Sequence, residues 1–346
     1  LKDKLRIGLI GCGAAAERCH LPALLARADV RVTAGVDENP ERARVLATKA
    51  RARACTAIAE ALPLFEAAIV TLPNTLHAPA SLELLRAGKH VLVEKPMAVT
   101  ATECAAMIGT AEQKGVTLAV GHMRRFQPAV AFARRILQSG WLGRILKFDV
   151  REGWPFGWPA ASDYFLRRDR AGGGVLIDTG AHTLDTLLWW LGDVARFEYA
   201  DDAFGGVEAD CRMELELVSG ARGTVELSRT RRMRNSAILC GEAGWMEVWF
   251  YAPRLEVHFH DSGEVFAPVF GRTHDRSEDV FAGLFSDQLE AWLAAIRGER
   301  PPAVDGVAGA RVVSLIERLY AARKPLKLPW FDAAQKPSSP ASEVGG

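Results

Sequence analysis

Leu5-Arg6-Ile7-Gly8-Leu9-Ile10-Gly11-Cys12-Gly13-Ala14-Ala15-Ala16 sets a short apolar run, two glycines one residue apart and a row of alanines near the start of the chain. Leu5–Ile10 reads as a strand and Ala15–Ala26 as the helix after it. In such a strand-turn-helix the first glycine permits the tight turn, and the second lets backbone approach a pyrophosphate. A small third residue, here Ala16, lets the helix pack on the sheet with its N-terminus towards the phosphates. Gly11, Gly13, Ala14, Ala15 and Ala16 are therefore candidate contacts to a dinucleotide. Alone, Gly-x-Gly-x-x-Ala is a weak signal. Asp37 strengthens it, because a carboxylate closing the second strand (Val30–Val36) can accept hydrogen bonds from a ribose diol. It also repels a 2′-phosphate, as does Glu38, so the pattern favours NAD over NADP. Arg42, in the following helix, is the nearby cation a phosphate would attract.

The alternation of apolar runs and helical patterns continues for about 120 residues, the signature of parallel β-α-β units. Helix Pro40–Ala50 has Asn39 as its N-cap and Pro40 at its first position. Strands follow at Ala67–Thr71, His90–Val93 and Thr117–Val120, with helices Pro79–Ala87 and Ala101–Lys114 closed by Gly88 and Gly115. The strands are continuously apolar, as strands covered on both faces should be. After Gly121 the grammar changes. A helix over Pro128–Leu137 and a strand over Ile145–Arg151 lead to Gly172-Gly173-Gly174, which opens a long helix ending at Gly192. Phe197 to about Phe259 reads as successive strands with hairpin signals, and helices Leu284–Ile296 and Val307–Ala322 complete the pattern. The expected fold is α/β: a Rossmann domain over residues 1–121, an α+β domain with a large open, mostly antiparallel sheet over 122–332, and a flexible tail over 333–346.

Composition limits the function classes. The chain has 346 residues, enough for two domains, and its 43 Lys plus Arg nearly equal its 42 Asp plus Glu. No global field favours nucleic acid or an anionic membrane. The six cysteines are scattered without zinc spacing, so they read as reduced thiols of a cytoplasmic protein and no metal site is expected. The alternating His258 and His260 lack a supporting carboxylate or cysteine and read as surface residues. No apolar signal core or membrane span is evident. Arg229, Arg231, Arg232 and Arg234 form a cluster that ordinarily marks a solvated face or an oligomer contact.

Two further features carry chemistry. Lys95 lies just past the C-terminal end of a strand, the edge where doubly wound sheets bind ligands. Pro96 stiffens the turn there, and the bond between them is a candidate for the cis form. Asp178 and His182 stand at i, i+4 and share a helix face. Taken singly, Glu94-Lys95-Pro96 is ordinary turn chemistry and an Asp/His pair on a helix is ordinarily structural. The segment 153–169 is rich in aromatics. Flat rings such as Trp154 and Tyr164 suit sugar C–H faces, and they serve equally well as core or subunit contact. Arg167, Arg168 and Arg170 would suit an anionic substituent or plain solvation.

The ordered set of motifs is more specific than any member. With Gly11–Ala16, Leu72-Pro73-Asn74-Thr75-Leu76-His77, Glu94-Lys95-Pro96, Gly121-His122-Met123-Arg124-Arg125-Phe126, and Gly173-Gly174 followed by Asp178, Gly180 and His182, the chain resembles the glucose-fructose oxidoreductase / inositol dehydrogenase / rhizopine-catabolism (Gfo/Idh/MocA) family of NAD(P)-dependent oxidoreductases, up to about Trp330. The resemblance implies a sugar, sugar derivative or cyclitol as substrate, oxidised at a secondary hydroxyl or reduced at the keto carbon. It implies His182 as general base, Lys95 orienting the substrate oxygen and Asp178 holding a neighbouring hydroxyl. Leu72, Pro73, Asn74, His77 and Glu94 would then border the cofactor, Arg125 would reach the substrate, and the open sheet would join copies into a homodimer or homotetramer. The chemistry is consistent, since imidazole titrates near neutrality and an ammonium stabilises negative charge on oxygen. Two other outcomes share this scaffold: a non-catalytic NAD-bound sensor, and a glycoside-cleaving enzyme that oxidises transiently and returns the hydride.

Overall fold

The computed structural model describes residues 4–158, 163–270 and 277–326, so the tail expected over 333–346 lies outside the described residues. The first sheet is built from β1 (Leu5–Ile10), β2 (Val30–Val36), β3 (Arg53–Cys55), β4 (Ala67–Val70), β5 (His90–Glu94) and β6 (Leu118–Gly121). Their order is β3-β2-β1-β4-β5-β6, and every pairing is parallel. This is the doubly wound dinucleotide-binding order, with its switch point between β1 and β4. The strands are apolar throughout because both faces are covered: β4 and β6 are buried at every position. Helix Ala101–Lys114 starts at a Thr100/Glu103 capping box and stops at Gly115, whose φ of 63° is the left-handed C-cap.

The helix expected over Ala15–Ala26 forms in two parts. A wide π-type turn spans Ala16–His20, with the Leu21 N–H donating to the Ala16 carbonyl, and a regular helix then runs over Leu21–Leu25. Pro22 offers a physical reason, since it has no N–H to continue the ordinary ladder. The three-residue β3 is too short to announce itself by periodicity.

The second sheet comprises β7 (Ile145–Gly153), β8 (Val194–Asp201), β9 (Asp210–Leu217), β10 (Arg222–Ser228), β11 (Ser236–Gly241), β12 (Gly244–Trp249), β13 (Leu255–Phe259), β14 (Val265–Phe266) and β15 (Lys324–Pro325). Its order is β14-β13-β12-β11-β7-β10-β9-β8-β15, antiparallel except at β7–β10 and β8–β15. Helix Val175–Leu191 lies in the core on one face of this sheet. The other face carries paired charges: Arg234 meets Asp149 at 2.7 Å, Arg254 meets Glu256 at 2.6 Å, and Arg212 meets Glu214 at 3.1 Å.

The last two helices, drawn along the sequence into the second domain, return to the first. From helix Ser277–Ile296, Phe285, Leu289, Trp292 and Leu293 join Ile7, Leu9 and Ile69 in one core. Helix Gly306–Ala321 sends Val313 to the opposite side of the Rossmann sheet and Val312, Leu315 and Ile316 to the second sheet's core. The two sheets are thereby fastened together behind the cleft. Among the described residues, no helix is long and apolar enough to cross a membrane.

Candidate active site

The C-terminal edge of the Rossmann sheet faces the second domain across a cavity of about 490 Å³, lined by Ala15 and Thr71 on one side and by Asp178 and Arg229 on the other. The cofactor end is set by backbone. Gly11 has φ +91°, and a Cβ there would lie 2.8 Å from the Thr71 carbonyl oxygen, so only glycine fits. A Cβ at Gly13 would instead enter open space, where the chain leaves room against its backbone. Asp37 accepts from the Cys12 N–H at 2.9 Å and from the Asn39 N–H at 2.9 Å, which ties the glycine turn to the end of β2. Its Oδ1 also takes Arg42 Nε at 3.0 Å and Nη2 at 2.7 Å. Burial pushes the Asp37 carboxyl up, but Arg42 and the two amides more than offset it, leaving its pKa below the ordinary range. Arg42 is thus held by a carboxylate. A glycine cradle, an anionic carboxylate at the strand end and a small residue at Ala16 together fit a dinucleotide with a free ribose diol.

Lys95 leaves β5 at a cis Lys95–Pro96 bond and crosses to the second domain. Its Nζ donates to Asp178 Oδ1 at 2.7 Å and to the Asp178 carbonyl at 3.1 Å. An ammonium has three protons, so one remains for a ligand oxygen. Asp178 Oδ2 accepts from Arg229 Nη2 at 3.0 Å. Burial raises the Asp178 carboxyl, but Lys95 and Arg229 outweigh it and hold the group ionised below its usual pKa. One helical turn on, His182 lines the same cavity. Among the described residues its Nδ1 is buried without a hydrogen-bond partner, so the other ring nitrogen, Nε2, is the candidate to meet a ligand. Burial above all, then the charges of Lys95 and Arg124, pull its pKa well below that of a free imidazole. At neutral pH the ring is therefore neutral and able to take a proton.

Helix Val175–Leu191 carries Asp178 and His182, and its first turn explains the glycine run. Glu208 Oε1 accepts from the Gly174 N–H at 2.8 Å and the Leu176 N–H at 3.0 Å, capping the helix. A Cβ on Gly174 would sit 1.9 Å from the Glu208 carbonyl oxygen, so the cap demands a glycine. In the cavity wall, Glu152 is fully buried yet saturated. Arg124 grips it at 2.9 and 2.5 Å, and the Thr183 and Tyr251 hydroxyls each donate at 2.6 Å.

One expected residue is placed elsewhere than the sequence reading put it, while Leu72, Asn74, His77 and Glu94 all line the cavity. Arg125, expected at the substrate, is spent on Asp185 at 2.9 and 2.6 Å, while its neighbour Arg124 lines the cavity. Both stand on the 3-10 turn Met123–Phe126, where successive side chains point a third of a turn apart. His77 is buried with Nδ1 2.7 Å from the Pro96 carbonyl and Nε2 2.8 Å from the Leu72 carbonyl. Burial lowers its pKa, and a neutral ring donates to only one of the two, so it braces the ends of β4 and β5. Asn74 donates to the Ala171 carbonyl at 2.8 Å, across the cleft. Glu94 lines the cavity, with Oε1 2.8 Å from His20 Nε2. Leu72, Trp154 and Tyr164 also line it. Pro73 immediately precedes the 3-10 turn over Asn74–Leu76.

Arg229 corrects the reading of its cluster as solvated, for it is buried at the site, whereas Arg234 is on the charged sheet face. Arg167 pairs with Asp169 at 3.3 Å, and neither it, Arg168 nor Arg170 lines the cavity. Glu152 was discoverable: Phe148, Val150 and Glu152 share the inward register of β7, so a carboxylate falls where an apolar residue is due. His20, Glu208 and Tyr251 gave no such signal.

Comparison with known proteins agrees with this geometry. Residues 5–122 match the model of an oxidoreductase family with an NAD-binding Rossmann fold, and residues 130–247 match that of the Gfo/Idh/MocA C-terminal domain. The D-glucoside 3-dehydrogenase of Escherichia coli (strain K12) is 32% identical over 346 aligned positions, covering 91% of this chain and 94% of that protein. The dTDP-3,4-didehydro-2,6-dideoxy-alpha-D-glucose 3-reductase of Saccharopolyspora spinosa is 32% identical over 185 residues, so the match spans about half of each (53% of this chain, 54% of that one). The crystal structure of aldose-aldose oxidoreductase from Caulobacter crescentus complexed with glycerol superimposes with a TM-score of 0.80 at 26% identity, covering 92% of this chain and 97% of that one.

Proposed function

The chain belongs to the Gfo/Idh/MocA family of oxidoreductases, and from that membership we propose that it is an NAD-dependent dehydrogenase acting on a secondary hydroxyl of a sugar or sugar derivative. The observation that carries the proposal is the convergence of Lys95, Asp178 and His182 in one cavity beside the glycine turn. Gly11, Gly13, Ala15 and Asp37 would hold NAD, which when bound supplies the hydride acceptor. Asp178, fixed by Lys95 and Arg229, holds the substrate ring by a neighbouring hydroxyl. The third proton of Lys95 Nζ meets the reacting oxygen and stabilises the charge that grows on it as its proton leaves. His182 Nε2 takes that proton and passes it to solvent, so the alcohol loses one hydride and one proton and becomes a ketone. In the reductive direction the same groups return the proton.

The charged, open face of the second sheet supports association of copies into a homodimer or homotetramer, and six free cysteines support a cytoplasmic setting. The decisive experiment is NADH absorbance during incubation with NAD and a panel of glycosides and polyols. Turnover that survives in both Lys95→Ala and His182→Ala would overturn the assignment.

A further inference from the structure

A row of aromatics lies where the cavity opens. Trp154, Phe156 and Trp158 all line it, and they remain 43%, 40% and 39% exposed. Large rings left in water beside a reactive site are unusual, since exposed apolar area is costly and contiguous patches mark binding surfaces. Their segment is anchored. The Trp154 N–H donates to the Ser228 carbonyl at 3.2 Å and the Phe156 N–H to the Arg229 carbonyl at 2.8 Å, so the segment extends β7 alongside the end of β10. The rings have neighbours of their own. Tyr251 meets Trp154 edge to face with centroids 6.0 Å apart, Arg232 stands 5.3 Å over Trp154, and Arg229 stands 5.0 Å over Phe156.

Charge narrows what this patch can hold. Three cations line the cavity, and each is matched: Lys95 and Arg229 share Asp178, and Arg124 is gripped by Glu152. Glu94 adds a further carboxylate at the cofactor end. Among the described residues, the lining therefore holds no surplus positive charge for a diphosphate beyond the one the cofactor brings. Arg232, over the Trp154 ring, is outside the lining.

We propose that the substrate is an uncharged glycoside with an aromatic aglycone, its sugar ring against Lys95, Asp178 and His182 and its aglycone on Trp154, Phe156 and Trp158. This rests on the dehydrogenase reading above and names the substrate class of that site. Sugar-nucleotide substrates are the competing class, and the cations that line the cavity are already paired with its own carboxylates.

The test compares phenyl glucoside, methyl glucoside and UDP-glucose with the full chain. Calorimetric titration in the presence of NAD reads binding, and NADH formation reads turnover. Stacking of one aromatic group on such rings corresponds to about a tenfold preference for phenyl over methyl glucoside. UDP-glucose should bind weakest. In Trp154→Ala and, separately, Trp158→Ala the phenyl-to-methyl ratio should fall towards one, a ratio that a uniformly damaged protein would not change. Equal affinity for the two glucosides, or preference for UDP-glucose, overturns the aglycone site even if NADH forms. A phenyl preference abolished by the tryptophan variants, with no NADH from any sugar, supports the aglycone site and overturns the dehydrogenase assignment alone.

Discussion

The two ends of the cavity are built on different principles. At the cofactor end the chain presents backbone: a glycine turn at +91°, an open space beside Gly13, and amides tied to Asp37. At the substrate end it presents side chains, in carboxylate-centred sets such as Lys95–Asp178–Arg229 and Arg124–Glu152–Tyr251. A dinucleotide is one ligand with one shape, so a rigid backbone mould suffices. A reaction needs charges held at set distances, and each buried charge must then be paired or its burial becomes prohibitive. The comparison teaches that substitutions at the first end should act through binding and fold, and at the second through chemistry or stability.

The sharpest way to break this contrast is at the group proposed to take the proton. His182→Asn should lower kcat by about 10²- to 10⁴-fold, the span of general-base catalysis, while NAD titration by fluorescence changes little. A kcat within a few-fold of the parent would show that the proton goes elsewhere. Next in size is Glu152→Ala, which strands the Arg124 guanidinium in the interior; loss of one partner of a buried pair costs about 3–5 kcal/mol. Urea unfolding measures it, and a loss under about 1 kcal/mol would mean that water reaches Arg124. Smaller still is Gly11→Ala. The left-handed backbone alone costs about 1–2 kcal/mol, with the clash on Thr71 in addition, so Tm should fall and NAD affinity should drop far more than kcat at saturating NAD. Unchanged affinity would show that the turn is not the cradle.

The pH dependence sharpens the same contrast. Because burial holds the His182 pKa well below 6.5, the neutral base persists into mild acid. The acidic limb of kcat/KM should therefore lie below pH 6.5, and a limb at or above that value would contradict the buried, cation-flanked imidazole. Stability follows the same sign. The pKa values of His77, His122 and His182 are lowered in the folded protein, so as pH falls through 6.5 the unfolded chain binds more protons than the native state, and stability is lost. Asp178 and Glu94, with lowered pKa values, add a further loss as pH falls through the carboxylate range. Calorimetric Tm across pH 4–8 measures the slope; a Tm rising towards acid would invert the assignment.

Much of the first domain was legible because its signals are local. Helix Pro40–Ala50 and its Asn39 cap, helix Ala101–Lys114 and the glycine turn depend on residues within a few positions of one another. The i, i+4 pairing of Asp178 and His182 is likewise a property of one helix. The divergent paths of Arg124 and Arg125, the burial of Arg229 and the capping of Gly174 by Glu208 were hidden, since their partners lie 28 to 60 positions away.

The amino-acid order alone determined the doubly wound domain, its dinucleotide turn and the shared helix face of Asp178 and His182. These rest on backbone propensity, apolar periodicity and short-range spacing, all of which act along the chain. Only the tertiary structure decided which arginine enters the cleft, which carboxylates neutralise its cations and which aromatic rings line it. Those choices are made by charge pairing and packing between distant segments, where energy depends on separation in space and no term records separation in sequence.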